Sequence, residues 1–274
     1  MNSPKINDLF INSRSREYLK SYLKSPTHTL LLSGPVGVGL GSIAKVLAYE
    51  IATNNVILIE PTLHAQQKTA NINVSDIKSV KKLLSNKRRS ALAVVIDEVD
   101  KMTASTPETL LKLLEEPVDN VYFILTTHNM FNMPATVVSR SQVLNMLPVE
   151  NTEGLVKSIK PSLKQNQVKF MADGLPAEII RLDNNEEYFR GKARLFEDVK
   201  KFINFSTYDR LVVVSKFKNR NEAIEFVGAL AKIYAMSATK SGKTDNLTLM
   251  SDVIERLSKN GNIKAQMTYL AVNF

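Results

Sequence analysis

Two short segments of the chain carry residues whose types and spacing could bind and hydrolyse a nucleotide. The first is a glycine-rich turn with candidate phosphate contacts at Gly34, Gly37 and Gly39, between an apolar run and an amphipathic stretch. Such a strand, turn and helix place backbone N–H groups around phosphate. The second is Asp97-Glu98, which ends another apolar run. There the Asp would hold magnesium and the Glu would polarise the attacking water.

The glycine-rich turn lacks the two side chains on which nucleotide hydrolysis depends. In the pattern Gly-x-x-x-x-Gly-Lys-Ser/Thr, the lysine contacts the terminal phosphates and the hydroxyl holds the metal. Here Leu40 stands at the lysine position and Gly41 at the hydroxyl position. Lys45, one helical turn further on, is an alternative cation. We therefore predict a vestigial loop, and we expect neither bound ATP nor another cofactor.

Alternating strands and helices must position these segments. Short Val, Ile and Leu runs separated by amphipathic stretches indicate a parallel sheet covered on both faces. The predicted strands are Thr29–Ser33, Val56–Ile59, Ala91–Ile96, Val121–Thr126 and Gln142–Met146, and the predicted helices between them are approximately Ser42–Ala52, Val74–Leu84 and Pro107–Leu114. From about residue 151 the pattern is helical, with strong 3.6-residue periodicity in Ala223–Met236 and Leu249–Leu257.

Composition narrows the classes of function. The 274 residues include no cysteine, which excludes disulfides and cysteine-based zinc sites, and only three histidines that are far apart (His28, His64 and His128), so no metal site is expected. An apolar run of about 18 residues is missing, and the start of the chain does not resemble a secretory signal. We therefore expect a cytoplasmic protein without a membrane partner. The formal charge of +9 favours a polyanionic partner.

One concentration of positive charge is a candidate for contacts with DNA. It comprises Lys78, Lys81, Lys82, Lys87, Arg88 and Arg89, and no acidic residue lies between Asp76 and Asp97. Contacts from such a patch to phosphate would position DNA without reading its sequence. A plain solvated helix face and loop is the alternative interpretation. Because no aromatic residues are interspersed, the patch does not indicate base stacking.

A third block, from Ile96 to Gln142, resembles a known family. It contains Leu-Leu-Lys-Leu-Leu-Glu-Glu-Pro at 110–117, Thr-Thr-His-Asn at 126–129 and Pro-Ala-Thr-Val-Val-Ser-Arg-Ser-Gln at 134–142. The block resembles the clamp-loader branch of the AAA+ ATPases and, within it, the delta-prime family of bacterial DNA polymerase III. The resemblance implies an α/β fold.

The fold implied by this resemblance has three domains. They are an AAA+ P-loop domain with a parallel sheet over residues 1–150, a small helical lid over 151–202 and an all-helical collar over 203–274 that holds subunits in a ring. The four-cysteine zinc module usual in the family would fall in Pro61–Asn73, which contains no cysteine. No zinc is therefore expected.

The resemblance also assigns roles to single side chains. Asn129 corresponds to a sensor of the γ-phosphate, and Arg140 to an arginine finger that reaches a neighbouring subunit's ATP, a contact worth on the order of 10³–10⁵ in rate. Pairing with a local carboxylate is the alternative for Arg140. In the lid, Glu178 replaces the sensor arginine of the ATP-hydrolysing subunits. Arg181 is an alternative cation there.

These departures from the family pattern favour a stator, a subunit that assists ATP hydrolysis by others. The implied partners are gamma/tau-like ATPase subunits, a delta-like subunit, the sliding clamp through the complex, and primed DNA without sequence preference. One alternative is an ATP-hydrolysing clamp-loader subunit with a divergent P-loop. Another is a dinucleotide-binding enzyme in which Glu60 would bind a ribose.

Overall fold

The computed structural model describes residues 4–63, 69–84, 90–116, 118–159, 164–238 and 245–274. These residues group into two compact units, Met1–Asn184 and Asn185–Phe274. Within the ranges given, no helix is both long and apolar enough to cross a membrane.

A five-stranded parallel sheet forms the centre of the first unit. Its strands are β1 (Thr29–Ser33), β2 (Val56–Ile59), β3 (Leu92–Ile96), β4 (Val121–Thr127) and β5 (Gln142–Asn145). They are arranged in the order β2-β3-β4-β1-β5, and every pairing is parallel. The predicted α/β fold is confirmed, and each predicted strand agrees with the structure to within one residue at either end.

Helices of the first unit cover both faces of this sheet. The helices of this unit are α1 (Ser13–Lys24), α2 (Leu40–Ala52), α3 (Val74–Leu84), α4 (Thr106–Glu115), α5 (Ala135–Val138), α6 (Glu153–Lys157), α7 (Gln165–Ala172) and α8 (Pro176–Asn184), of which the last three pack on one another. Successive residues of β1 alternate between two cores, because side chains point to opposite faces of a strand. Leu30 and Leu32 pack with α1 and α2, whereas Leu31 packs with α3 and α4.

A backbone bridge lies in the segment Pro61–Asn73, where the resemblance led us to look for a zinc module. Thr62 and Asn71 exchange two hydrogen bonds, each with an N–O distance of 3.0 Å. Ile72 follows, fully buried, and its N–H donates to the carbonyl of Lys101 at 3.2 Å. Main-chain pairing and an apolar anchor therefore hold both ends of this segment. His64 lies outside the described residues.

All the regular elements in the described part of the second unit are helices. They are α9 (Glu186–Ile203), α10 (Thr207–Val214), α11 (Arg220–Ala238), α12 (Asp245–Ser258) and α13 (Ile263–Asn273). Helix α11 packs on α9 and α12, and α10 packs on α13. The rings of Phe202 and Phe226 meet edge to face in the core, with centroids 5.2 Å apart. Helix α9 groups with the later helices, while the three-domain division with its boundary at residue 202 stays a prediction.

Candidate nucleotide site

The sheet brings the glycine-rich turn and the acidic segment to one edge. Strands β1, β3 and β4 are neighbours, so the residues that follow their carboxyl ends lie side by side. The N–H of Gly34 donates to the carbonyl of Thr127 at 3.3 Å. The ring Nδ1 of His128 lies 2.9 Å from the carbonyl oxygen of Gly34. The turn is therefore fixed to the end of β4, and Gly41, which follows the turn, lies against Asp97.

Leu40 belongs to the protein core. It is the first residue of α2 and only 1% exposed, and it packs in the apolar cluster between the sheet and α1 and α2. The alternative cation, Lys45, pairs with Glu60, with 2.7 Å between Nζ and Oε1. At the position that usually carries a phosphate-binding lysine, this chain thus has a leucine that packs in the core.

The same geometry argues against the dinucleotide-binding alternative. Glu60 is engaged by Lys45. In addition, β1 lies between β4 and β5, whereas the dinucleotide-binding fold has the order 3-2-1-4-5-6. The dinucleotide-binding interpretation of the sequence is therefore wrong.

The carboxylate of Asp97 occupies the space beside Gly41. A Cβ built on Gly41 would stand 2.5 Å from Asp97 Oδ2, far inside a normal contact. Asp97 is held there by Thr126, whose hydroxyl donates to Oδ1 and accepts from the N–H of Glu98 at 2.8 Å. A serine or threonine at position 41, the usual ligand of magnesium, would require this carboxylate to move.

Glu98 and Asn129 have partners within the chain. Glu98 lies in the left-handed region at φ 53°, and its carboxylate pairs with Lys101 at 2.6 Å. A non-glycine residue with positive φ is strained, and such strain often marks functional segments. The Oδ1 atom of Asn129 accepts from the N–H of Phe131 at 3.1 Å and caps a short 3₁₀ turn. The structure thus gives Asn129 a local structural role beside its predicted sensor role.

The sequence interpretation missed a second set of polar contacts at this edge. The Oδ1 atom of Asp100 accepts from the hydroxyl of Thr127 at 2.8 Å and from the N–H of His128 at 3.2 Å. These bonds tie the end of β4 to the turn after β3. Asp100 could have indicated these contacts from the sequence, because it is the last acidic residue of the Asp-Glu-Val-Asp run. Together with Thr126, these residues connect the acidic segment to the strand beside it.

The start of helix α8 lies directly on the glycine-rich turn. The carbonyl of Gly37 accepts hydrogen bonds from the N–H groups of Ala177 at 2.9 Å and Glu178 at 3.3 Å. Gly37 has φ 93°, and a Cβ there would lie 3.0 Å from the Cβ of Glu178. Glu178 is 6% exposed, while Arg181 is exposed on the same helix. Glu178, which we predicted to stand in place of a sensor arginine, is therefore a buried acid packed on the turn.

Hydrogen bonds also hold the segment that connects the sheet to α6–α8. The side-chain amide of Asn12 donates to the carbonyl of Pro148 at 2.8 Å, and the hydroxyl of Ser15 accepts from the N–H of Leu147 at 3.1 Å. The N–H of Val149 donates to the carbonyl of Gly174 at 2.7 Å. We call these three contacts the connector clip. They join α1, the connecting segment and the turn before α8.

Arg140 follows α5 and meets the end of α4. Its Nη2 lies 2.7 Å from Glu115 Oε1, and its Nη1 donates to the carbonyl of Thr136 at 3.1 Å. The side chain remains 38% exposed. The alternative of a local carboxylate partner is therefore what the structure contains, and that partner belongs to the Leu-Leu-Lys-Leu-Leu-Glu-Glu-Pro motif. The flanking Ser139 and Ser141 bond back to carbonyls of α5.

A groove between α3 and α4 gathers positive charge. Its volume is about 630 Å³, and its lining includes Lys78, Lys81 and Lys82 of α3 together with Lys112 of α4, with one acidic residue, Glu116, beside them. We call it the lysine groove. Lys112 was not among the predicted DNA contacts, because its neighbourhood to α3 arises only when the two helices pack. The other predicted contacts, Lys87, Arg88 and Arg89, lie outside the described residues.

Comparisons with known proteins agree with this architecture. A family model described as DNA polymerase III, delta subunit, matches residues 50–150. The chain is 24% identical to the tau subunit of DNA polymerase III from Bacillus subtilis over 262 residues, which cover 89% of this chain and 44% of that protein. It is 27% identical to the delta' subunit from the same bacterium over 105 residues, covering 38% of this chain and 32% of that protein.

The fold also matches a solved structure over nearly its whole length. The RuvB Holliday junction branch migration motor of Thermotoga maritima aligns with a TM-score of 0.52 and 18% identity, covering 98% of this chain and 90% of that chain. This likeness shows the fold alone. Over residues 50–150 the chain is similar to the delta subunit family of DNA polymerase III. It spans less than half the length of the tau and delta' relatives. Compared with the P-loop pattern, this chain keeps the glycines and the acidic pair and lacks the lysine and the hydroxyl.

Proposed function

We propose that this chain is a delta-prime-like clamp-loader subunit, a stator that binds no ATP and assists hydrolysis by its partners. The observation that carries this proposal is that the chain's own side chains occupy the places of the phosphate-binding lysine and the metal-binding hydroxyl. Leu40 is buried in the core. The Asp97 carboxylate lies 2.5 Å from the place of the Cβ that a serine or threonine at position 41 would have. The buried Glu178 would add repulsion, since two like charges 4 Å apart interact by roughly 4 kcal/mol at an effective dielectric of 20.

In this proposal Arg140 is the chain's contribution to catalysis. It acts in trans on ATP held by a gamma/tau-like subunit, where an arginine stabilises the charge of the transition state. Its partial exposure supports this role. The contact with Glu115 does not oppose it, because exposed ion pairs contribute only about 0–1 kcal/mol.

The wider complex would contain a delta-like subunit, the ATPase subunits and, through them, the sliding clamp on primed DNA. The lysine groove supports a contact with DNA that does not depend on sequence, since four lysines in one place suit the phosphate backbone. ATP bound by the partners would drive opening of the clamp. The helical second unit would hold this chain in the ring.

Reconstitution tests the proposal. ATP hydrolysis is followed in a mixture of the ATPase subunit, the delta-like subunit, the clamp and primed DNA, with wild-type chain, with Arg140→Ala or without the chain. We expect hydrolysis to fall at least tenfold when the chain is omitted or carries Arg140→Ala, and the chain alone to be inactive. Lys20→Ala, which removes an exposed cation of α1 with no predicted role in hydrolysis, serves as the control and should leave the rate unchanged.

Two outcomes would contradict the proposal in different ways. Full activity with Arg140→Ala would remove the arginine finger. Hydrolysis by the chain alone, lost on Glu98→Gln, would favour the alternative of an ATP-hydrolysing subunit with a divergent P-loop.

A further inference from the structure

We propose that Glu115 is the positioning residue of Arg140, holding the guanidinium in the orientation in which it meets a phosphate of a neighbouring subunit. This inference rests on the proposed function, because it names the residue that prepares the trans contact. It assigns a purpose to a second motif of the chain, since Glu115 ends the helix that carries the Leu-Leu-Lys-Leu-Leu-Glu-Glu-Pro run.

The two contacts of Arg140 fix the plane of the guanidinium. One anchor is the carboxylate of Glu115 on Nη2 and the other is the carbonyl of Thr136 on Nη1. A guanidinium has five N–H donors in a rigid planar fork. The two anchors use one donor on each terminal nitrogen, which leaves the Nε–H and one N–H on each terminal nitrogen. An anion can therefore be bound without breaking either anchor.

A common apolar core fixes the two backbones that carry this pair. Helices α4 and α5 pack against each other. Leu110 and Leu114 of α4 and Val137 of α5 are buried in the same cluster. Glu115 directly follows one of these buried residues, and Arg140 comes three residues after another. The core thus sets the distance between the two backbones. The ion pair then fixes the orientation of the Arg140 guanidinium.

Glu115 affects the orientation of the Arg140 guanidinium more than it neutralises its charge. The side chains of Arg140 and Glu115 are 38% and 48% exposed, so water screens the carboxylate and leaves the arginine attractive to a phosphate. A long side chain that is free in solution loses rotamer freedom when it docks, whereas an arginine held in advance loses less. Removal of the carboxylate is therefore expected to slow the chemical step.

The test uses the reconstituted complex and four variants of this chain. Glu115→Ala removes the anchor, Glu115→Gln keeps an oxygen acceptor without the charge, Glu108→Ala alters another exposed carboxylate of α4, and Arg140→Ala removes the finger. Steady-state ATP hydrolysis gives kcat and KM for each. Glu115→Ala is expected to lower kcat about two- to fivefold, the effect of one exposed ion pair, with KM unchanged. Glu115→Gln should recover most of the rate, and Glu108→Ala should match wild type.

The double variant Glu115→Ala/Arg140→Ala separates positioning from general damage. If Glu115 acts only through Arg140, the double variant has the rate of Arg140→Ala alone. A further loss in the double variant, or a fall caused equally by Glu108→Ala, would overturn the inference.

Failure of the inference differs from failure of the proposed function. A large loss with Arg140→Ala but none with Glu115→Ala would leave the arginine finger in place and remove Glu115. No loss with Arg140→Ala would remove both. Slower side-chain motion of Arg140 in the free wild-type chain than in Glu115→Ala, measured by nuclear magnetic resonance of the guanidinium, is the expected companion result.

Discussion

The carboxylate of Asp97 packs against the α-carbon of Gly41, with its Oδ2 2.5 Å from the place of a Cβ. In an ordinary helix, Gly→Ala raises stability by up to about 1 kcal/mol. At Gly41 the added methyl group has to displace a carboxylate that Thr126 holds. We therefore expect Gly41→Ala to lower the free energy of unfolding by about 1–3 kcal/mol, the usual cost of overpacking.

Urea denaturation measures this effect, and α9 offers a matched control. A Cβ on Gly191 would have no heavy atom within 4 Å. Gly191→Ala should therefore leave the free energy of unfolding unchanged or raise it. Equal stabilisation by both substitutions would show that Asp97 gives way readily.

Restoring the missing lysine is not expected to restore nucleotide binding. Leu40 is buried, so Leu40→Lys places a cation in an apolar cluster and should lower the free energy of unfolding by at least about 2 kcal/mol. Gly41 and Glu178 would remain unchanged. Titration with a fluorescent ATP analogue and urea denaturation test the two parts. Leu40→Met, which conserves volume, should cost less than about 1.5 kcal/mol. Saturable ATP binding by the lysine variant would contradict the expectation.

Lys112 is expected to contribute to DNA binding as much as the lysines of α3. Each lost phosphate contact reduces the slope of log K against log salt by about 0.9 for duplex DNA. Lys112→Ala should therefore lower affinity for primed DNA and make the slope shallower by about that amount. Binding of the assembled complex at several salt concentrations provides the measurement, with Lys20→Ala on α1 as the control. An unchanged slope would exclude Lys112 from the contact.

The stability of the chain should depend on His28 in weakly acidic solution. Burial lowers the pKa of His28 below its ordinary value of 6.5, and its ring packs 5.4 Å from that of Phe123. The unfolded chain then binds a proton that the folded chain resists, so stability is complete above pH 6.5 and falls as the pH decreases below it. Urea denaturation between pH 5 and 8 should show a smaller decrease for His28→Gln. If wild type and His28→Gln lose the same free energy of unfolding between pH 8 and pH 5, His28 is not the group responsible.

The strands were predictable because each is an apolar run with clear ends. Thr29–Ser33 and Val56–Ile59 agree with the structure at both ends. The apolar faces of Ala223–Met236 and Leu249–Leu257 serve the core of the second unit, where Phe226 and Val253 are buried. Periodicity identifies such faces, but it does not distinguish a core face from one that binds another subunit.

The contacts that decide the candidate site were not predictable from local pattern. Glu115 and Arg140 belong to different motifs, and Lys112 lies far in sequence from the lysines of α3. Such pairs depend on how helices pack on the sheet. The sequence likewise showed that a hydroxyl is missing at Gly41, but only the fold shows the carboxylate that takes its space. The sequence shows that a motif residue is missing, whereas only the structure shows which neighbouring side chain occupies its place.

The connector clip bears on how motion passes through the first unit. Asn12 and Ser15 hold one side of the connecting segment, and Gly174 holds the other. A Cβ on Gly174 would come within 2.6 Å of the carbonyl of Val149, so the close approach of the two strands of chain depends on glycine. With both sides fastened and α8 hydrogen-bonded to Gly37, α8 is tied to the rest of the first unit at two places. We therefore expect any displacement of α8 to be accompanied by a displacement of the glycine-rich turn and β1.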